Sequence, residues 1–239
     1  MPRLTSDFGT VPKKKQPFIF VIAAGASKRI KPLNIFLKSF VEEIKALSIE
    51  SDICACLGIL RGEKDTATWI TGKKLLPVDD YCYESLAETE TCSLAVLLAE
   101  LNSSLSRKRL MGDMSILPTI VFLVDETCVI NEWENESSSL LNNKWYKRAA
   151  LAAVGLTENT DKELLAKLTR DNGYVVYIPD DEKLLTLIGR SMAENLTPLI
   201  KSCSLDWALE ENGVFINAEG KFELKADYLC SDWDDDSWE

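Results

Sequence analysis

The chain has 239 residues, of which 46% are hydrophobic and 27% charged, a composition that favours one large domain or one domain with an appendage. It contains no histidine, which excludes His-based general acid–base chemistry, Ser-His or Cys-His nucleophile pairs and imidazole metal ligands. No apolar run reaches the length of about 18 residues that is typical of a membrane-spanning helix.

The formal net charge of −11 is concentrated near the C-terminus. Residues 206–239 contain eleven acidic residues and two lysines, which leaves 27 acidic and 25 basic residues in the rest of the chain. The body of the protein therefore gives no electrostatic reason to expect nucleic-acid binding. The seven cysteines are scattered, which predicts small buried residues in a reducing compartment, and the N-terminus lacks the apolar segment of a signal peptide. We expect a cytoplasmic protein.

Strands and helices alternate along the chain. A first strand is predicted from Pro17, because Phe18–Ile22 is a continuous apolar run typical of a strand buried on both faces. The small residues Ala23–Ser27 then allow a tight turn into an amphipathic helix that extends to about Leu47. Further strands are predicted at Ile53–Leu60, Thr66–Thr71, Thr119–Val124, Ala149–Leu156 and Tyr174–Ile178, and further helices around Leu94–Leu105, Leu164–Leu168 and Leu184–Ile188.

This alternation predicts an α/β fold with a doubly wound, mostly parallel sheet and helices on both faces. Thr160 and Glu163 have the spacing of a capping box for one of the helices. Residues 1–16 are expected to form a flexible leader, residues 17–200 the domain, and residues 201–239 an acidic extension with a short β-hairpin within Gly213–Lys225. Ligands of such folds bind at the carboxyl edge of the sheet.

One interpretation concerns the loop Ile22–Pro32. Its sequence, IAAGASKRIKP, resembles the start of nucleotidyltransferases, in which LAAGxGxR is followed by a lysine. The resemblance implies an enzyme that binds a nucleoside triphosphate at the Gly25 loop. Backbone N–H groups and the side chains of Arg29 and Lys28 or Lys31 would then contact the phosphates. A second carboxylate motif for Mg²⁺ is not found to accompany this loop.

The second interpretation adds the ends of two other predicted elements. Thr91, Cys92 and Ser93 precede a helix, and Asp125-Glu126 follow the strand Thr119–Val124. These positions resemble the metal-ion-dependent adhesion site of the von Willebrand factor A (vWA) family, which has DxSxS, a threonine before a helix, and TDG. The order of elements over residues 17–199 is similar to the bacterial TerY-like, tellurite-resistance branch of that family. The resemblance implies a vWA/Rossmann-like fold.

The sequence departs from the family at the metal ligands. Ala23 stands where the family has its aspartate, and Gly25 stands where it has its first serine. Only Ser27, Thr91 and Asp125 remain as remnant ligands, and a hydroxyl with a single carboxylate is a poor Mg²⁺ site. We therefore expect a degenerate site with no required cofactor, while Mg²⁺ binding stays open as an alternative. Ser27, Thr91 and Ser93 are equally typical of helix caps.

The resulting expectation is a non-catalytic adaptor in a bacterial stress-response or defence assembly. By resemblance, its partners are other proteins, such as a kinase, a phosphatase or a defence component, and neither nucleic acid nor membrane. Self-association through the acidic tail is a third interpretation. The predicted binding edge consists of Gly25, Ala26, Ser27, Thr91, Cys92, Asp125 and Glu126, and the predicted aromatic interface anchors are Trp133, Trp145, Trp233 and Trp238.

Overall fold

The structure of the chain is a computed structural model. It describes residues 13–25, 27–48, 53–72, 75–89, 92–112, 115–128, 130, 133–157, 159–170, 174–177, 182–196, 214–216 and 222–224. The strands are β1 (Lys14–Ala23), β2 (Ile53–Glu63), β3 (Thr66–Trp69), β4 (Leu76–Pro77), β5 (Thr119–Val124), β6 (Ala150–Gly155), β7 (Tyr174–Tyr177), β8 (Val214–Ile216) and β9 (Phe222–Leu224). The helices are α1 (Ser27–Ser48), α2 (Leu94–Ser104), α3 (Trp133–Leu141), α4 (Lys162–Leu168) and α5 (Glu182–Asn195).

The main sheet has the strand order β3-β2-β1-β5-β6-β7, and β4 also pairs with β2. Strands β2, β1, β5, β6 and β7 are parallel, whereas β3 and β4 run antiparallel to β2. The strand order reverses on either side of β1, which places the ends of β1 and β5 at a topological switch point. The predicted doubly wound α/β fold is confirmed.

Strand β1 supplies both layers of the core. Phe18, Phe20 and Ile22 pack with residues of α1 and α5, and the alternating residues Ile19 and Val21 pack with residues of α2, α3 and α4. Every residue from Phe18 to Ala23 is buried, because a strand covered by helices on both faces has no solvent side. The helices therefore cover both faces of the sheet, as the sequence predicts.

Several boundaries differ from the sequence predictions. β1 begins at Lys14, so the predicted limit of the leader at residue 16 falls inside a strand. The N-cap of α4 is Asp161, whose carboxylate accepts hydrogen bonds from the N–H groups of Glu163 and Leu164. The predicted capping box at Thr160 is therefore wrong, since Thr160 is buried and its hydroxyl donates to the carbonyl of Val124. β8 and β9 pair as the predicted antiparallel hairpin.

Candidate functional site

The carboxyl ends of β1 and β5 meet at one edge of the sheet, because the two strands are parallel and adjacent. Their pairing runs to Ala23 opposite Val124, so Gly25 and Asp125 follow the two strands side by side. The N–H of Asp125 donates to the carbonyl of Ala23, at 3.2 Å between nitrogen and oxygen. The structure thus brings together two of the residues that the sequence places at this edge.

The Asp125 carboxylate is engaged by donors from two loops. Its Oδ2 accepts a hydrogen bond from the N–H of Gly25 at 3.1 Å. Its Oδ1 accepts from the N–H of Thr127 at 2.8 Å and from the Thr127 hydroxyl at 2.7 Å. The residue is only 3% exposed. Asp125 therefore holds the loop after β1 against the loop after β5, and Thr127 is a contributor that the sequence analysis missed.

A buried arginine lies on the β2 side of the same edge. The guanidinium of Arg61 donates through Nη2 to the carbonyl of Ala87 and to the Thr89 hydroxyl, the latter at 3.3 Å. The N–H of Thr89 in turn donates to the carbonyl of Gly25. Gly25 is consequently bonded to Asp125 through its N–H and to Thr89 through its carbonyl. A polar chain therefore runs from Asp125 through Gly25 and Thr89 to Arg61.

Burial shapes the electrostatics of Arg61. The residue is 8% exposed, and its Nε has no hydrogen-bond partner among the described residues. Desolvation lowers the pKa of the guanidinium, and the nearby Glu63 opposes that shift. Arg61 was not selected from the sequence. Its signal is a charged residue at the end of an apolar run, two residues before Glu63 at the end of β2.

Two thiols meet beside this polar chain. The Cys128 thiol donates to the carbonyl oxygen of Cys92 at 3.6 Å, and both residues are buried. A hydrogen bond between the two thiol groups lowers the pKa of Cys92. The same thiol–thiol hydrogen bond, together with burial, raises the pKa of Cys128. Cys92 lies near enough to Arg61 and Asp125 to experience both charges. Cys128 had no assigned role in the sequence analysis.

Gly62 fixes the position of Cys92. A Cβ atom added at Gly62 would lie 2.6 Å from the Cβ of Cys92 and 2.8 Å from its sulfur. Only a residue without a side chain permits this approach, so the backbone of β2 forms one wall around the Cys92 thiol.

The other predicted edge residues have different outcomes. Glu126 is exposed beside Asp125, and its role as a contact residue stays a prediction. Ser27 is the first residue of α1, and nothing is described of its side chain. Ser93 is the N-cap of α2, but its side chain makes no capping hydrogen bond. Ala26 and Thr91 lie outside the described residues.

The aromatic anchors require one correction. Trp133 begins helix α3 and is 5% exposed in the core on the α2 side of the sheet. The predicted interface role of Trp133 is therefore wrong, because its ring is covered by neighbouring side chains. Trp145 is half-buried and packs against the same core. Trp233 and Trp238 lie outside the described residues.

The residues of the alternative phosphate-binding loop lie in the first turns of α1. The Lys31 ammonium forms an ion pair with Glu182 at the start of α5, and both side chains are largely exposed. Such an exposed pair contributes little to stability. Lys31 is thus engaged by an acidic side chain at the position where the nucleotide interpretation would place a phosphate.

The described residues contain no cluster of three or more cysteine, aspartate or glutamate side chains arranged to hold a metal ion. None of the helices in this part of the chain combines the length and apolar character needed to cross a bilayer.

The fold is of the von Willebrand factor A type, as comparison with solved structures shows. A von Willebrand factor type A protein from Catenulispora acidiphila superposes with a TM-score of 0.53 at 17% identity, covering 77% of this chain and 42% of that one. The PilB minor pilin from Streptococcus sanguinis gives 0.56 at 12% identity, with coverages of 80% and 63%. The pilus adhesin SpaC from Lactobacillus rhamnosus GG gives 0.54 at 9% identity, with coverages of 79% and 31%.

This likeness is confined to three-dimensional structure. No protein-family model matches the sequence, and a search of curated proteins finds no match. The chain spans less than half the length of the Catenulispora protein. At these identities the comparison establishes the class of fold, and the site must be argued from its own residues.

Proposed function

We propose that this chain is a non-catalytic vWA-like interaction module that binds a protein partner at the carboxyl edge of its sheet, without a complete metal site. The observation that carries the proposal is the engagement of Asp125. Both of its carboxylate oxygens accept hydrogen bonds from the protein itself, from Gly25 and from Thr127. The carboxylate that the family resemblance would assign to a metal here joins two loops.

The residues present do not fit a Mg²⁺ site of the family type. Ala23 and Gly25 bring no oxygen-bearing side chain to the positions where the resemblance expects an aspartate and a serine. Mg²⁺ requires near-octahedral oxygen ligation, and Asp125, the carboxylate that remains of the family's ligand set, is already hydrogen-bonded within the protein. The proposal therefore uses no metal, and Asp125 contributes to binding by holding the surface loops in place.

The names of the structural neighbours support a protein partner. They include a minor pilin and a pilus adhesin, and the same sheet edge is where ligands of open α/β folds bind. We extend the proposal to the finer expectation from the sequence, that the module serves as a TerY-like adaptor in a bacterial stress-response or defence assembly. A kinase, a phosphatase or a defence component is the partner class that this resemblance implies.

Site-specific photocrosslinking tests the location of the interface. A benzophenone amino acid is placed at Glu126, which is exposed just after β5, and a matched control is placed at Leu117, which is exposed just before β5. We expect crosslinks to another protein at position 126 and not at 117 when the full chain is irradiated in cells, with the same result when Mg²⁺ is chelated in the extract. Equal crosslinking at the two positions, or none at 126, would contradict the proposal.

The nucleotidyltransferase alternative is tested on the same protein. Nucleoside triphosphates with Mg²⁺ are added, and the melting temperature of the wild-type chain is measured. We expect no shift, whereas a ligand bound to the Gly25 loop raises the melting temperature increasingly as its concentration exceeds its dissociation constant. A rise that grows with nucleotide concentration and is abolished by Arg29→Ala would favour the enzyme over the adaptor.

A further inference from the structure

The carboxyl edge carries a pair of thiols from two different segments. Cys92 precedes α2, and Cys128 follows β5, with 35 residues between them in sequence. The Cys128 thiol lies 3.6 Å from the carbonyl oxygen of Cys92, and a Cβ atom at Gly62 would overlap the Cys92 side chain. The Cys128 thiol thus lies against the backbone of Cys92, and a hydrogen bond between the two thiols shifts the pKa of both.

A second thiol pair in the same protein provides a comparison. Cys54 and Cys56 lie on β2 with their sulfur atoms 3.8 Å apart. Residues two apart on a strand have Cα atoms separated by about 6.6 Å, which is near the upper limit of about 6.8 Å for a disulfide. Both residues are paired with β1, and Cys56 also with β4, so strand pairing fixes the separation of their Cα atoms. Cys92 and Cys128 lie outside the strands, so no strand pairing fixes the separation of their Cα atoms.

We propose that Cys92 and Cys128 form an oxidisable thiol pair that converts reversibly to a disulfide and thereby controls the partner-binding edge. The bond would tie the loop after β5 to the segment that enters α2. Asp125 and Glu126 lie in that loop, so oxidation would restrict the surface that contacts the partner. The control of binding rests on the function proposed above, whereas the thiol chemistry does not.

The reaction requires a two-electron oxidant, for which we take a peroxide. One thiolate attacks a peroxide oxygen, the O–O bond breaks, and a sulfenic acid and hydroxide form. The sulfur of the second thiol then displaces the sulfenic hydroxyl group as water and forms the S–S bond. The two sulfurs together lose two electrons, and hydrogen peroxide is reduced to two waters. In a reducing compartment such a bond is transient, as in redox sensors.

Peptide mapping of the oxidised wild-type chain tests the pairing directly. The reduced full-length protein is exposed to increasing hydrogen peroxide, free thiols are blocked with a maleimide, and the tryptic digest is analysed by mass spectrometry. Trypsin places Cys92 in residues 75–107 and Cys128 in residues 110–144, so their disulfide joins two peptides. Cys82 shares the first peptide and is exposed, so fragmentation must assign the bridge. Cys54 and Cys56 share one peptide and report the control pair.

We expect the Cys92–Cys128 disulfide to exceed the Cys54–Cys56 disulfide by at least about tenfold, since thiol reactivity depends on the surroundings of each sulfur. Dithiothreitol should reverse it. Cys128→Ser should abolish the bridge, and Cys56→Ser should leave it unchanged. If peroxide modifies exposed Cys82 but gives no Cys92–Cys128 bridge, or if the two pairs oxidise equally, the proposal is overturned. This result comes from the wild-type chain and does not depend on the folding of a variant.

The control of binding is read out by the benzophenone at Glu126 in the reduced and oxidised protein. A loss of partner crosslinking on oxidation, restored by dithiothreitol and absent in Cys128→Ser, supports it. If the disulfide forms and crosslinking is unchanged, the proposed redox control of binding is wrong, but the proposed interface stands. Disulfide formation with no crosslinking in either state contradicts the proposed function instead, so the two failures are distinguishable.

Discussion

The two ends of the β1–β5 pair use buried polar side chains in different ways. At the amino end, the side-chain amide of Gln16 donates to the carbonyl of Leu117 and the Thr119 hydroxyl, at 3.0 and 3.4 Å. The Thr119 hydroxyl then donates to the carbonyl of Leu196, just after α5. At the carboxyl end, a carboxylate performs the corresponding connection between Gly25 and Thr127.

The difference between these ends lies in charge and in unmet hydrogen-bonding capacity. Removing a buried neutral amide leaves neutral partners without a hydrogen bond, which costs less than truncating a buried charged group and leaving its donors unsatisfied. The hydrogen bonds at the amino end therefore serve to hold β1, β5 and the end of α5 together. The carboxyl end brings together a carboxylate, a guanidinium and two thiols. The pKa values of the guanidinium and of both thiols are shifted, and such a group of ionisable side chains is typical of a functional site.

Removing the carboxylate should have the largest effect on this comparison. In Asp125→Ala the N–H of Gly25 and both donors of Thr127 lose their acceptor. We expect the free energy of unfolding, measured by urea denaturation, to fall by about 3 kcal/mol. Asp125→Asn retains one oxygen acceptor and should lose less. A double-mutant cycle with Thr127→Val should show coupling, and additive losses would mean that the Asp125–Thr127 contact contributes nothing.

Filling the space next to Cys92 should have an intermediate effect. Gly62→Ala places a methyl group 2.6 Å from the Cβ of Cys92, and overpacking of this kind costs about 2 kcal/mol. The matched control is Gly58→Ala on the same strand, whose nearest neighbour is a side-chain atom of Trp69 at 3.1 Å. Urea denaturation should show a smaller loss for the control. An equal loss in both variants would contradict the assignment of Gly62 as a wall for the thiol.

The smallest effect is expected at the amino end. Gln16→Met keeps the length of the side chain and removes two hydrogen bonds, but it also removes Oε1, a buried atom with no partner among the described residues. The loss of the hydrogen bonds destabilises the fold and the removal of the unpartnered Oε1 stabilises it. The free energy of unfolding should therefore change by less than about 1 kcal/mol. Crosslinking from Glu126 should remain at the wild-type level. A loss as large as that of Asp125→Ala would remove the distinction between the two ends.

The alternation of strands and helices could be predicted because each strand and each helix has its own local pattern of hydrophobic residues. The apolar run Phe18–Ile22 is long enough to identify a doubly covered strand, and the leucine spacing of α2 identifies a helix face. The segment around α3 was not assigned, because its sequence is polar on most positions and only Trp133, Ser137 and Leu140 turn toward the core. The burial of Trp133 could not be read from its polar neighbours.

The site was predicted in part for the same reason. Asp125 stands out because a carboxylate directly follows a buried strand, and topology alone brings the carboxyl ends of β1 and β5 together. The other residues of the site were not predictable, since Thr89, Arg61 and Cys128 come from segments whose proximity depends on how the chain crosses the sheet edge. A threonine or cysteine in a loop carries no pattern that distinguishes a structural contact from a solvent-facing side chain.

The sequence by itself determined the class of fold, the order of its main strands and helices, and the edge at which Gly25 and Asp125 meet, because hydrophobic periodicity and parallel connection are properties of the chain. Tertiary structure decided which groups engage Asp125, why Gly62 must lack a side chain, and that the Cys128 thiol contacts Cys92. Those features depend on distances between segments far apart in sequence, and such distances are set only when both faces of the sheet are packed.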